Sequence, residues 1–363
     1  MREKRHTKNK KKRTRLIYNV LLIAGTLLFL AIGTIAGYYG NVVKHFVDDV
    51  SVSEDVDPAE LKNLDQRIKS GEPFSALILG IDVEDDGVSR SDTIIATTIN
   101  PKKGSVKMVS IPRDTLVSLP GGQMEKINAA YAVGKIGLAR QIISEYLDIP
   151  LDFYGILDFN GLIALVDAVG GITVDAPFDF DESDYREGHG KRIYIKKGKQ
   201  RLNGDEALAY ARMRYQDERG DFGRQDRQKE IIISLTKELA SISSLTNIQK
   251  ILKSIQPYLL TNLSSSNILA VANKYSAASN HIKTLHIEGP DGRPVYFPNY
   301  GQNLWAWGAW DESRLDIQNE LRRHLELPEK ESLELVGNYQ YFDSPLYDPA
   351  IPIDTVTDFA GNY

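Results

Sequence analysis

The chain has 363 residues, 42% of them hydrophobic and 26% charged, with a formal net charge of −5 and no cysteine. This composition supports a real core and excludes a compositionally disordered chain, a disulfide scaffold and any thiolate nucleophile. Residues 1–15 hold nine Lys/Arg against one Glu, a surplus of +8, so the remainder carries −13, which argues against nucleic acid as a partner.

From Leu16 to Val43 there is no charged residue. The run "LIYNVLLIAGTLLFLAIGTIAGYYG", residues 16–40, is long enough to cross roughly 30 Å of hydrocarbon and reads as a transmembrane helix. It is longer than the apolar region of a cleaved signal peptide and lacks a following A-x-A site, so it reads as a signal anchor. The basic block at 1–15 predicts a cytoplasmic N-terminus and places the rest outside the cell membrane. Residues 41–73 are acidic and polar and read as a stalk, with a helix opening at Asp57-Pro58 and stopping at Gly71.

The main body, expected over 74–327, opens on "FSALILGIDV", a buried strand that ends on Asp82. "DTIIATTIN" and "SVKMVSIPRDT", separated by "PKKG", predict a hairpin with Arg113 and Asp114 at its end. "KINAAYAVGKIGLARQIISEYLDI" is helical in composition and interrupted near Gly134 and Gly137. "LDFYGILDFNGLIALVDAVGGITVDA" predicts strand, helix, strand, the helix capped by Asp158 or Asn160 and stopped by Gly170-Gly171. A helix from Gly223 to about Ser241 turns Ile231, Ile232, Leu235 and Leu239 inward. "IKTLHIEG" reads as a strand, and "WAWGAWDESRLDIQNELRRHLEL" as a helix with Trp310, Ile317, Leu321 and Leu325 on one face. The tail over 328–363, rich in Pro, Asp and Tyr, is expected to be extended or disordered. Strands alternating with helices around a hairpin give an α/β class, a layered α-β-α sandwich with a central mixed sheet.

The chain carries no Walker lysine loop, no G-x-S-x-G elbow and no H-E-x-x-H, and His281 and His286 read as packing or surface residues. Asp and Arg remain. In "SRSDT", Arg90 and Asp92 are two apart and would share one strand face, with Asp82 at a neighbouring strand end. Two carboxylates suit a hard cation such as Mg²⁺; an ion pair at a hairpin explains the spacing equally well. "YARMRYQDERGDFGRQDRQK", residues 210–229, holds five arginines, four acids and one lysine. Arg212 and Arg214 share a face if "YARMR" is extended, and Arg224, Arg227 and Gln228 fall on one face of the following helix. Asp221 would cap that helix, whose free N–H groups favour an anion. The rival is a structural ion network, which alone accounts for Arg219 beside Asp217 or Glu218 and leaves Arg227 open.

Taken together, "LGID", "SRSDT", "SIPRDT", "KINAAYA", "LDFNGL...LVDAVGGI.VD" and "LNGDEALAYARMR....GDFGRQDRQ" resemble the LytR-CpsA-Psr family of cell-wall glycopolymer ligases over roughly residues 75–240. The resemblance implies a hydrophobic groove for a polyprenyl chain within the layered fold. It implies Asp82 and Asp92 as ligands of Mg²⁺, with Mn²⁺ the alternative. It assigns Arg90, Arg113, Arg212, Arg214 and Arg224 to the pyrophosphate, supported by Asp221, Gln228 and Lys126, the last of which lies in the family motif "KINAAYA". The catalytic group is then Arg90, Asp92, Arg113, Arg212 and Arg214. The implied reaction moves a phosphoglycan, a teichoic acid, capsule or other secondary polymer, from a polyprenyl diphosphate to peptidoglycan, at the C6 hydroxyl of N-acetylmuramic acid. The alternatives are a polyprenyl-diphosphate-binding receptor or regulator and a lipid-linked pyrophosphatase.

Overall fold

The computed structural model describes residues 58–83, 89–185, 188–241, 250–251, 253–263, 267 and 281–333. All fall in the second of two units into which the chain divides, Val50–Tyr363. The basic tail at 1–15, the apolar run at 16–40 and the tail beyond 333 lie outside the described residues. No helix among the described residues is long and apolar enough to cross a membrane.

Helix α1 (Pro58–Ser70) begins with proline in its first turn and stops at Gly71, whose φ is +81°. Expected within a stalk, it instead docks on the body. Leu64 and Ile68 are buried with Phe74 and Phe153, whose rings meet edge to face at 5.4 Å. Arg67 donates to Asp152 at 3.0 Å.

The central sheet takes β1 (Phe74–Val83), β2 (Ser89–Asn100), β3 (Ser105–Ser110), β6 (Phe153–Asp158), β11 (Leu259–Thr261) and β12 (Ile282–Leu285), in the order β11-β6-β1-β2-β3-β12. β1 runs parallel to β6 and antiparallel to β2, and β12 runs parallel to β3, so the sheet is mixed. The period of two sorts its apolar residues. Leu77, Leu79, Ile94, Ala96 and Val109 join a core with helix α2 (Ala129–Leu147) and helix α6 (Asp311–His324). Gly134 and Lys135 leave helical geometry inside α2, a kink at the predicted interruption.

Across the sheet lie α3 (Phe159–Ala168), α4 (Gly204–Arg212) and α5 (Gly220–Ser241). Asp158 caps α3, accepting from the Gly161 amide at 2.7 Å. Their core includes Val166, Ile172, Val174, Leu202, Tyr210, Ile231 and Leu235, with β7 (Ile172–Ala176) and β10 (Gly198–Leu202) paired beside them. Layers of helix, sheet and helix follow from this division.

The remaining strands form three hairpins that the sequence pattern did not predict. They are β4 (Leu116–Leu119) with β5 (Gln123–Lys126), β8 (Phe180–Asp184) with β9 (Gly188–Ile195), and β13 (Arg293–Phe297) with β14 (Gln302–Ala306). Several predicted boundaries change. "WAW" belongs partly to β14, the last helix starts at Asp311, and Trp310 is its exposed N-cap rather than a core residue. "YARMR" is not extended, because a capping box of Asn203 and Glu206 launches α4, which runs through Arg212. α5 starts at Gly220, whose φ of +52° turns the chain into the helix ahead of the predicted Gly223; Asp221 therefore sits inside the first turn instead of capping it. Residues 328–330 fold back on α6, with the Lys330 amide donating to Asn319 at 2.8 Å.

Candidate functional site

Between the sheet and α3 to α5 lies a cavity of about 430 Å³, within the usual range of small-molecule sites. Its length is apolar: Ile78 from the sheet faces Leu162 and Leu165 of α3, Leu208 of α4, and Ile232, Leu235 and Leu239 of α5. Ile231 and Leu235 are buried as predicted, whereas Leu239 stays exposed along this wall. The polar end gathers Asp82, Asp92, Arg113, Arg212, Arg214, Arg224 and Gln228.

A β-bulge aims the carboxylates. Gly80 pairs with Thr93 and Ile81 with Ser91, so Asp92 is the extra residue on β2, and beyond the shift Asp82 faces Arg90 across the ladder. A bulge re-aims a side chain and commonly sits beside an active site. Asp92 thus reaches the cavity with Asp82, but Arg90, expected on the same face, is not on the cavity wall. Arg90 lies within electrostatic reach of Tyr300 on the β13–β14 hairpin. The insertion breaks the simple alternation that linked Arg90 to Asp92.

Arg113 Nη1 donates to Asp92 Oδ2 at 2.8 Å. Burial works against the Arg113 charge, but Asp92, Asp114 and Asp221 outweigh it and raise its pKa above the ordinary arginine value. Arg224 shows the opposite balance. Burial, with Arg113 and Arg214 nearby, lowers its pKa although Asp221 opposes them. Arg224 Nη2 stands 2.5 Å from Asp221 Oδ1, while Gln225 donates to the other oxygen. Its Nε and the Nε of Arg113 are buried without a hydrogen-bond acceptor. Arginines gathered at the head of a cavity are what an anion's oxygens pair with.

Arg212 is gripped between aromatic rings, its guanidinium carbon 5.6 Å from the Phe159 centroid and 5.3 Å from that of Tyr185. Arg214 lies over Tyr215. Neither Phe159 nor Tyr185 was singled out as a site residue, although Phe159 lies in the motif "LDFNGL"; they come from α3 and the β8–β9 hairpin, far from Arg212 in the chain. Gln228 reaches the cavity and donates to the Ala211 carbonyl at 3.3 Å. Lys126 is off the cavity wall: its Nζ donates to Asp114 at 2.8 Å, and with Arg113 and Arg214 it holds the Asp114 pKa below the ordinary value, against the opposing effect of burial.

Arg227 is settled as structural. It is buried, donates to the Tyr210 and Met213 carbonyls, and pairs with buried Asp217. Asp217 reaches it past Gly223, where a Cβ would fall 1.8 Å from a carboxylate oxygen. The exposed guanidinium of Arg219 pairs with Asp226 rather than with Asp217 or Glu218, while its backbone amide donates to Asp217 at 2.9 Å.

No group of three or more His, Cys, Asp or Glu side chains able to hold a metal occurs among the described residues. Asp82 and Asp92 at one cavity end still fit Mg²⁺, which takes one or two carboxylates and completes its shell with phosphate oxygens and water.

Fold and site together define a three-layer α/β protein whose groove suits an amphiphile with an anionic head. The LytR_cpsA_psr family model matches residues 40–323, and the chain belongs to that family. It is 38% identical over 323 residues to the polyisoprenyl-teichoic acid–peptidoglycan teichoic acid transferase TagU of Bacillus subtilis, covering 89% of this chain and 99% of that one. It is 44% identical over 262 residues to TagV of the same organism, covering 70% of this chain and 65% of TagV. The crystal structure of B. subtilis TagV superposes with a TM-score of 0.62 at 40% identity, over 71% of this chain and 99% of that one. A structure of TagT bound to LIIa-WTA superposes with a TM-score of 0.59 at 27% identity, over 71% of this chain and 93% of that one.

Proposed function

We propose that this chain transfers a phosphate-linked glycopolymer from a polyprenyl diphosphate carrier to peptidoglycan. The observation that carries this reading is the two-part groove, apolar along its walls and closed by Arg113, Arg212, Arg214 and Arg224 with Asp82 and Asp92. The prenyl chain lies against Ile78, Leu162, Leu165 and Ile232, and the diphosphate meets the arginines. A hydroxyl oxygen of the acceptor, the C6 hydroxyl of N-acetylmuramic acid, attacks the phosphorus that bears the glycan. The bond from that phosphorus to the bridging oxygen breaks, and polyprenyl phosphate leaves with the electron pair. Asp82 and Asp92 are carboxylates at this end able to accept the hydroxyl proton.

Such transfers depend on positioning and charge neutralisation more than on covalent help from the protein. Arg113, Arg214 and Arg224 supply preorganised positive charge to oxygens that gain negative charge. Asp82 and Asp92 would hold Mg²⁺, which when bound neutralises phosphate oxygens. The apolar run at 16–40 serves as the membrane anchor, with the body outside the cytoplasm, and keeps the groove beside its lipid-linked donor at high effective concentration.

The test incubates the full chain with Mg²⁺, lipid-linked glycopolymer and nascent peptidoglycan. A phosphodiester-linked product that forms only with peptidoglycan present is expected. Release of free glycan phosphate without acceptor makes the protein a pyrophosphatase, and binding without turnover makes it a receptor.

A further inference from the structure

The outer face of the β13–β14 hairpin groups exposed aromatic rings. Val295, Phe297, Leu304 and Ala306 turn inward against Leu116, so Pro294, Tyr296, Asn303 and Trp305 share the outer face. The register pairs Pro294 with Trp305 and Tyr296 with Asn303, which places the two rings diagonally on one face. Tyr296 is 56% exposed, Trp305 48% and Tyr300, in the turn, 47%. The Trp305 ring is nevertheless held in place: a Cβ on Gly292 would fall 2.4 Å from its Nε1, so the indole lies close on bare backbone.

The hairpin continues into the arginine end of the groove. The Trp307 amide donates to the Asp114 carbonyl at 2.9 Å, and the Leu116 amide to the Trp307 carbonyl at 2.8 Å. These bonds fasten the strand end to the residues following Arg113. Phe222, in the first turn of α5 with Asp221, meets the Trp307 ring at 5.9 Å. Tyr300 is bonded to Glu125 and feels Arg90, which is where the bulge leaves that arginine.

We infer that the outer face of this hairpin binds the acceptor glycan, a strand of neutral sugar rings presenting its hydroxyl to the groove. This rests on the transferase reading above and adds the acceptor subsite. The chemistry of the face selects the occupant. Flat rings cover the C–H face of a sugar, and the amide of Asn303, on the same face as Tyr296 and Trp305, matches its hydroxyls. A lipid surface would favour a cluster of Lys/Arg, whereas this face carries none between Pro294 and Trp305.

The test sediments the full chain in detergent with insoluble peptidoglycan stripped of attached polymers. Trp305→Ala and Tyr296→Ala should each weaken co-sedimentation roughly tenfold or more, the scale of losing one aromatic anchor, while Trp305→Phe retains most of it. Calorimetry with farnesyl diphosphate should give wild-type affinity for all three variants. Wild-type sedimentation by a Tyr296→Ala/Trp305→Ala double variant overturns the inference. So does quenching of wild-type Trp emission by brominated lipid in proteoliposomes that Trp305→Ala abolishes, which would make the face a membrane contact. A wild type that binds peptidoglycan through Trp305 but takes no diphosphate refutes the transferase reading and leaves the glycan subsite standing.

Discussion

Arg113 reaches from the loop after β3 to the bulged Asp92 of β2 and donates to it at 2.8 Å. The bond leaves the buried Nε of Arg113 without an acceptor, so this pair holds a guanidinium in place without exhausting its donors. The cavity head combines such restrained arginines with the Asp82 and Asp92 carboxylates, and its parts can be tested one at a time.

Arg214→Lys should reduce kcat/KM by about a hundredfold or more, because a point charge cannot replace a planar fork on phosphate oxygens. Circular dichroism and thermal midpoint should match the wild type. Wild-type turnover would return Arg214 to a structural role.

Arg227→Ala should act on stability. It strands the buried Asp217 carboxylate and two carbonyls, a loss on the order of 3–5 kcal/mol. Urea unfolding measures it; a change of under about 1 kcal/mol would contradict the buried pairing.

Ile232→Asp puts a carboxylate on the apolar wall of the groove at a half-buried position. Affinity for farnesyl diphosphate should fall roughly tenfold or more, since an uncompensated polar group must then be desolvated by the prenyl chain. Unchanged affinity would move the lipid out of this groove.

Asp82→Asn should weaken Mg²⁺ binding measured by calorimetry in the presence of farnesyl diphosphate, roughly tenfold or more. Chelation of the wild type should stop transfer, and added Mg²⁺ should restore it. Equal Mg²⁺ affinity in the variant would remove Asp82 from the ligand set.

His324 makes stability pH-dependent. Burial, aided by Lys107 and Lys103, lowers its pKa from 6.5 to about 4, and its ring bonds the Thr98 and Ser105 hydroxyls at 2.7 and 3.0 Å. The folded state keeps the ring neutral, whereas the unfolded chain protonates it below 6.5. Its contribution is therefore complete above pH 6.5, declines as pH falls and is gone below about 4, a change on the order of 3 kcal/mol. His324→Gln should flatten that part of the stability profile; an unaltered slope between pH 6.5 and 4 would contradict the buried neutral ring.

The strand ending on Asp82, the PKKG hairpin, the kink near Gly134 and the helix capped by Asp158 were all legible in the chain. Each depends on local causes: a period of two, turn residues, a glycine, a capping carboxylate. Boundaries failed where local signals competed. "YARMR" alternates like a strand, yet the Asn203–Glu206 capping box drives a helix through Arg212. "WAWGAW" looked helical beside α6, yet Trp305 pairs with Pro294 in a hairpin.

The candidate site was legible by residue type more than by arrangement. Arg224 and Arg227 are three residues apart on one helix, and nothing local distinguishes them. Asp217 passing Gly223 makes Arg227 structural, while Arg224 keeps a buried nitrogen without an acceptor. Arg90 and Asp92 looked like neighbours on one face, and the bulge sends Asp92 to the cavity and Arg90 toward Tyr300. Phe159 and Tyr185 converge on Arg212 from separate elements.

By itself, then, the sequence determined the α/β class, the family and the arginine and aspartate chemistry, because composition, periodicity and motif spacing are properties of the chain alone. The tertiary structure alone decided which charges face the groove, which are spent on one another, and that a hairpin of exposed rings is fastened to the residues following Arg113. Those outcomes depend on a one-residue insertion in a ladder and on long-range pairing, both of which exist only once distant segments are packed together.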